Sequence, residues 1–419
     1  MQVFEDKRIN EKVYVEELEN KMQIMVIPKH DTANKYIIWG TKFGSIDNHF
    51  VDPTTNKEVK VPDGVAHYLE HKMFEQESGV DSLYTLMALG LNANAYTTSD
   101  HTAYLFGGVD NFYPGLDELM DYVQHPYYTD ENVEKERGII GQEINRYNDE
   151  PFSKLYNNCM KCLYKNNTIN IDTAGTVESI SHITKETLYS CYNTFYHPSN
   201  TVMVISGDFE PEKIIDEVKK RLLPREPMSE IKRIYPEEPE QVNEKYKEQI
   251  MDVIMPIFMI GFKDNLEGDK LKEQIGIQII FNSLLGKCSK AYQDMYSQGL
   301  LMSELELEYE YSRNYAHVII AGESKDPKKV NDIAIKTLMN TELSKEDIER
   351  SKRRIYGEYV QEFNDVEEIG RMFLQDAVKG ENTIYYLDKL EEIDFDYLEN
   401  LRNRLFVDKN QVLSVVKGK

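Results

Sequence analysis

Pro224, Pro227, Pro236 and Pro239 crowd one short stretch, and few apolar residues recur there with any period. Proline removes a backbone donor and stops a helix from continuing. Residues 224–245 are therefore predicted to be an interdomain linker. The domains on either side are 1–223 and 246–419. A chain of 419 residues has room for roughly two to three domains.

The two halves carry a faint internal repeat. In the first, Thr102-Ala103-Tyr104-Leu105-Phe106 is predicted to be a strand, followed by a helix through Leu116, Leu119, Met120 and Val123. Thr129 then sits where an N-cap belongs, ahead of a long charged helix through Glu136 and Glu143. In the second, Val318-Ile319-Ile320 precedes a helix through Val330, Ile333 and Leu338. Ser344 takes the capping position before a helix through Arg353 and Tyr359. The same order at the same spacing points to duplication. Further strands are predicted at Met22–Ile27, Tyr36–Thr41, Thr201–Ser206 and Ile250–Met255. Strands and long helices occur in both halves, so the fold class is α+β with two domains.

Composition excludes some functions. Hydrophobic residues make up 41% of the chain, enough for packed cores. Lys plus Arg total 49 and Asp plus Glu total 73, a net charge of 49 − 73 = −24. Nucleic-acid binding needs a basic face, so no nucleic-acid partner is expected. Such a surface favours cationic partners or simply keeps the chain soluble. No basic region followed by an apolar run opens the sequence, so no secretory signal is expected. No apolar run reaches the ~18 residues that a membrane span needs. Cys159, Cys162, Cys191 and Cys288 do not make a disulfide framework. Cys159 and Cys162, flanked by Leu155, Tyr156, Met160 and Leu163, fit two reduced thiols on a helix better than half a metal site. A reducing, cytoplasmic location follows.

The chemistry lies in Val65-Ala66-His67-Tyr68-Leu69-Glu70-His71-Lys72-Met73-Phe74. Val65, Leu69 and Met73 recur every four residues as an apolar helical stripe. His67, Glu70, His71 and Phe74 fall on a different face. Two imidazoles one turn apart can aim their nitrogens at one zinc ion. Glu70 projects beside them, able to take a proton from a water that the ion polarises and return it to a leaving amine. The order H-x-x-E-H is that of the inverzincins. A catalytic zinc needs a third protein ligand and an open fourth position. Glu136 and Glu143, seven apart on one helix, offer a carboxylate and a supporting hydrogen bond to a histidine. An ordinary solvated charged helix would look the same.

These segments, with Asn94-Ala95-Tyr96-Thr97, Gly175-Thr176-Val177-Glu178-Ser179-Ile180 and Tyr196-His197-Pro198-Ser199-Asn200 leading to Gly207-Asp208, resemble the pitrilysin/insulinase family of zinc peptidases. The size is similar to that of its smaller, two-domain processing-peptidase branch. The resemblance covers most of residues 20–210 and is looser in the second half. It implies two homologous α/β-roll-like domains, each a mostly antiparallel sheet packed with helices. It implies one zinc ion on His67, His71 and Glu143, with Glu70 catalytic and Glu136 supporting the ligands from behind. It implies that Asn94 and the strand at Ala95, Tyr96 and Thr97 bind the substrate, since an open sheet edge can accept an extended peptide. Phe74, on the metal face, is expected to line the pocket for the side chain after the scissile bond or else to be plain core.

One departure matters. Self-sufficient family members carry an Arg and a Tyr seven apart in the second half, where this chain has Met295 and Met302. Neither can donate a hydrogen bond to an oxyanion. The expectation is a zinc-free homologous subunit that supplies the pair; otherwise the chain pairs with itself. The function expected is a zinc metalloendopeptidase for short unfolded peptides or leader segments, favouring basic ones. The alternative is a non-catalytic scaffold subunit of a peptidase-like complex.

Overall fold

Runs rich in β-branched and aromatic residues form the strands, as pleated, half-buried surfaces favour. The computed structural model describes residues 1–419. Nine strands lie in the first half: β1 Gln2–Asp6, β2 Glu11–Glu17, β3 Gln23–Pro28, β4 Lys35–Thr41, β5 His49–Val51, β6 Glu58–Lys60, β7 Asn92–Thr97, β8 Thr102–Gly108 and β9 Thr201–Gly207. Seven of them make one sheet in the order β1-β2-β3-β9-β4-β8-β7, and β5 pairs with β6. Only β3 and β9 run parallel. The second half contributes β10 Tyr246–Ile250, β11 Ile257–Lys263, β12 Glu306–Tyr311, β13 Ala316–Glu323 and β14 Gln411–Lys417. Their order is β10-β14-β11-β13-β12, again with a single parallel pair, β10 and β14. The fold class is the α+β duplication expected, each sheet mostly antiparallel and packed with helices.

Two of the helix caps also match. Thr129 Oγ1 accepts from the Asn132 amide, and Ser344 Oγ from the Asp347 amide, each at 3.1 Å. The expected strand at Ile250–Met255 is not there. β10 ends at Ile250, and β11 begins only after Pro256. Ile250 and Ile254 stand exposed, so this apolar run marks no buried strand.

The domain boundaries differ from the contiguous division at 224–245. The first compact unit comprises Met1–Ile144, Asp172–Ile234 and Val360–Ile384; the second comprises Asn145–Ile171, Tyr235–Tyr359 and Tyr385–Lys419. Each unit has thus taken a helix from the other half of the sequence. In the first, the helix Val366–Lys379 packs on β4 and β9, and Ser206 Oγ donates to the Val366 carbonyl at 2.5 Å. In the second, the helix Pro151–Leu163 packs on β11 and β14, and Ser414 Oγ donates to the Leu155 carbonyl at 3.0 Å. Each receiving sheet needs an apolar cover on that face, and an amphipathic helix supplies it wherever it lies in the chain.

The proline-rich stretch has little regular structure but is fastened. Arg233 donates to Asp47 at 2.9 Å in the first unit. In the second, Glu238 accepts from the amides of Lys165, Asn166 and Asn167 and from Lys263.

Four helices of the first unit frame the site: α1 Val65–Lys72, α2 Ser82–Ala88, α3 Phe112–Gln124 and α4 Asp130–Asn148. Strand alternation divides the sheet's faces. Ile37 and Trp39 join the core with Tyr68 and Leu69 of α1, while Gly370 of the helix Val366–Lys379 lies against Tyr36 and Ile38. No helix is long and apolar enough to cross a membrane.

Candidate metal centre

α1 begins at Gly64, whose φ of 89° is left-handed. A Cβ there would stand 2.4 Å from the Ala174 carbonyl oxygen, so both space and dihedral demand glycine. Ser179 Oγ closes this junction by donating to the Asp63 carbonyl at 2.8 Å. Val65, Ala66, Tyr68 and Leu69 are buried. The Tyr68 hydroxyl donates to the Val133 carbonyl of α4, which docks the two helices. That docking turns His67, Glu70 and His71 toward Glu136 and Glu143.

The Oε2 atom of Glu143 lies 3.4 Å from His71 Nε2 and 3.9 Å from His67 Nε2. His67, His71 and Glu143 each offer one donor atom, and these atoms lie within 4.8 Å of one another. Donors bound to a tetrahedral zinc at ~2.0–2.2 Å stand about 3.3–3.6 Å apart. The His71–Glu143 separation already matches such an ion, and the wider ones must close by up to about 1.5 Å. Glu136 is no part of that triangle. Its Oε1 meets His71 Nδ1 at 3.1 Å, which leaves Nε2 facing Glu143.

Electrostatics separates the two imidazoles. Burial drives the pKa of His67 down to about 4, with the nearby His71 adding to the fall. Its ring is thus neutral at pH 7, the form that ligates. His71 also loses solvent, but the Glu136 hydrogen bond and the charges of Glu70, Glu136 and Glu143 outweigh this and raise its pKa. Burial raises the pKa of Glu70, the direction that suits a proton carrier working near neutrality. Thr97 Oγ1 donates to Glu70 Oε2 at 2.7 Å and fixes that carboxylate.

Glu70, His71 and Glu136 open onto a cavity of roughly 500 Å³ that Phe74, Asn94 and Ala95, among others, also line. β7 is the last strand of its sheet and pairs only with β8, so its outer backbone edge is open. Of the residues expected to bind substrate, Phe74, Asn94 and Ala95 line the cavity. Thr97 reaches Glu70. Tyr96 does neither, because its ring lies beneath the Arg371 guanidinium and beside His101.

Several neighbours escaped the sequence reading. Asp81, Tyr84, Lys135 and Ile139 also line the cavity, and no local pattern distinguishes them. Lys72 is different. It occupies the i+7 position of the stripe Val65, Tyr68, Leu69, so helical spacing alone places a lysine on the buried face.

In the second unit, Met295 is fully buried and Met302 exposed. Neither position offers a donor. Cys159, Cys162 and Cys191 are free and buried, and Cys288 is free and exposed.

Two histidines and a glutamate converging beside a separate buried glutamate make a site of the metallopeptidase class. The chain belongs to the insulinase family, peptidase family M16. "Insulinase (Peptidase family M16)" matches residues 56–177, and "Peptidase M16 inactive domain" matches residues 182–355. The chain is 37% identical over 421 residues to the "Uncharacterized zinc protease YmfH" of Bacillus subtilis (strain 168), covering 98% of each. It superposes with a TM-score of 0.92 on the crystal structure of a putative M16-like peptidase from Alicyclobacillus acidocaldarius, at 29% identity, covering 98% of this chain and 99% of that one. A shorter match, 24% identical over 193 residues, reaches the mitochondrial cytochrome b-c1 complex subunit 1 of Mus musculus. It covers 45% of this chain and 39% of that protein.

Proposed function

We propose that this chain is a zinc metalloendopeptidase, with one zinc ion held by His67, His71 and Glu143. The observation that carries this reading is the meeting of those three donor atoms within 4.8 Å of one another, beside a cavity that His71 and Glu70 line. Zinc at this position supplies a Lewis acid that polarises water and the scissile carbonyl. The chain's own groups do the rest. Glu70 takes the proton from water and delivers it to the leaving amine, while Thr97 keeps its carboxylate aimed. Glu136 holds the Nδ1 side of His71. The free edge of β7 at Asn94 and Ala95 pairs with an extended peptide, and Phe74 receives a substrate side chain. Short unfolded segments can lie along such an edge; folded domains cannot.

The substrates are peptides or leader segments, with basic ones favoured by the net charge of −24. The chain is the zinc-bearing subunit of a heterodimer, and a zinc-free homologue supplies the Arg and Tyr that Met295 and Met302 do not. Burial of Met295 supports this, since a new side chain there would point into the core. The relative in the cytochrome b-c1 complex is by its name a subunit of a larger assembly.

Metal analysis with a peptide-cleavage assay, run on the chain alone and with copurified partners, tests the proposal. One zinc per chain is expected, with cleavage rising about 10²–10³-fold when the partner is added. Zinc without cleavage under either condition would favour a scaffold. Full cleavage by the chain alone would remove the heterodimer.

A further inference from the structure

Lys72 follows the second histidine of the motif and is fully buried. Its place on the stripe of Val65, Tyr68 and Leu69 would ordinarily take an apolar residue. An ammonium is strongly disfavoured there unless it meets anions. Nζ meets two. It donates to Glu75 Oε2, and it lies 3.9 Å from Glu136 Oε2. The other oxygen of Glu136, Oε1, meets His71 Nδ1 at 3.1 Å. One carboxylate thus lies between two partners, an ion pair with the lysine on one oxygen and a hydrogen bond with the imidazole on the other. Glu75, whose side chain is partly exposed, ties the lysine from the far side.

We infer that Lys72 is a positioning residue of the metal centre. It fixes the Glu136 carboxylate, Glu136 fixes the ring of His71, and Glu75 anchors the lysine. The inference rests on the zinc reading above, and the two can fail separately.

Charge and position make opposite demands here. A cation beside a zinc site repels the ion, so deleting it by charge alone strengthens binding. Losing an oriented outer partner weakens binding, typically about 10–100-fold. Zinc affinity is read by competition with a chromophoric chelator, on full-length protein whose fold is checked by circular dichroism. Lys72→Met, close in volume, is expected to weaken zinc binding by ~10-fold or more. In the Glu136→Gln background the same change should have no further effect, because the link it acts through is gone. Zinc bound equally or more tightly by Lys72→Met overturns the inference, as does an undiminished effect in the Glu136→Gln background. If Lys72→Met does not fold, Glu75→Gln takes its place in the same cycle. Its weakening should vanish with Glu136→Gln, whereas a through-space charge effect would persist and overturn the inference. A parent protein that binds no zinc defeats the zinc reading itself.

Discussion

The two units share five strands in one order but end on different edges. In the first, β7 reads Asn-Ala-Asn-Ala-Tyr-Thr, and its outer side borders the cavity under α1. In the second, β12 reads Glu-Leu-Glu-Tyr-Glu-Tyr, with Glu306 and Glu308 exposed. Charges along an edge discourage a further strand from pairing. The helices differ in the same sense. α1 carries two histidines and a glutamate toward α4. The helix Lys270–Leu284 instead buries Leu271, Ile275, Ile277, Ile279 and Ile280. Its one polar cluster is internally paired: Lys270 bonds Glu273, and Arg404 bonds Asp264 and Glu273. A duplicated fold therefore does not duplicate chemistry. The frame is common property, and a few side chains on two helices decide which copy can hold an ion.

The contrast breaks most sharply at Glu70. Glu70→Gln should make the first unit as inert as the second, with cleavage falling about 10²–10⁴-fold while the zinc content stays. Assay and metal analysis of one preparation would check this, and cleavage at the parental rate would remove Glu70 from the proton transfer. Next comes an attempt to restore the missing pair in the second unit. Met295→Arg should destabilise by about 3–5 kcal/mol, because it buries an uncompensated charge in a packed site. Met302→Tyr, on the surface, should stay within about 0.5 kcal/mol. Denaturant melts of the two variants should separate clearly.

A smaller effect sharpens the comparison within the second unit. Burial pushes the Glu238 carboxyl up, but Lys263 and three backbone amides overcome this and hold it below the usual glutamate pKa of 4.5. A carboxylate with a depressed folded pKa stabilises above the unfolded value and loses that contribution as pH falls through the folded one. Glu238→Gln should therefore cost about 1–3 kcal/mol at pH 7. The gap to the parent should narrow in urea melts below about pH 4. A weaker contact still belongs to Arg371, 5.4 Å from the Tyr96 ring centroid. Arg371→Ala should cost roughly 0.5–2 kcal/mol of stability. KM should rise more than kcat falls, since Tyr96 sits in the strand proposed to pair with substrate.

Much of this was legible in the sequence because it is local. The four-residue recurrence of Val65, Leu69 and Met73 places the histidines on one face, and Thr129 and Ser344 announce their helices. The exchanged helices were not legible. Periodicity tells that Leu155, Cys159 and Leu163 share a face, but not which sheet that face covers. Position in the strand does not separate Tyr96 from Asn94 and Ala95; its packing against Arg371 and His101, both distant or downstream in the chain, does. The composition of Ile250–Met255 suggests a strand, but pairing stops near Ile250 and Ile254 faces solvent, so no sheet face holds the run in place. Lys72 was legible from helical spacing and went unread.

The exchange of helices carries a consequence for synthesis. The sheet behind the candidate metal site gets its second cover from residues 366–379, far along the chain from its own strands. A nascent or truncated polypeptide stopping near residue 234 already holds both histidines and both helix glutamates. It leaves β4 and β9 bare on one face, and it carries an orphan amphipathic helix at 151–163. Such a fragment is an aggregation hazard rather than a miniature enzyme. The first unit therefore cannot close its core until residues 366–379 have been made, long after the last strand of its sheet, β9, has emerged.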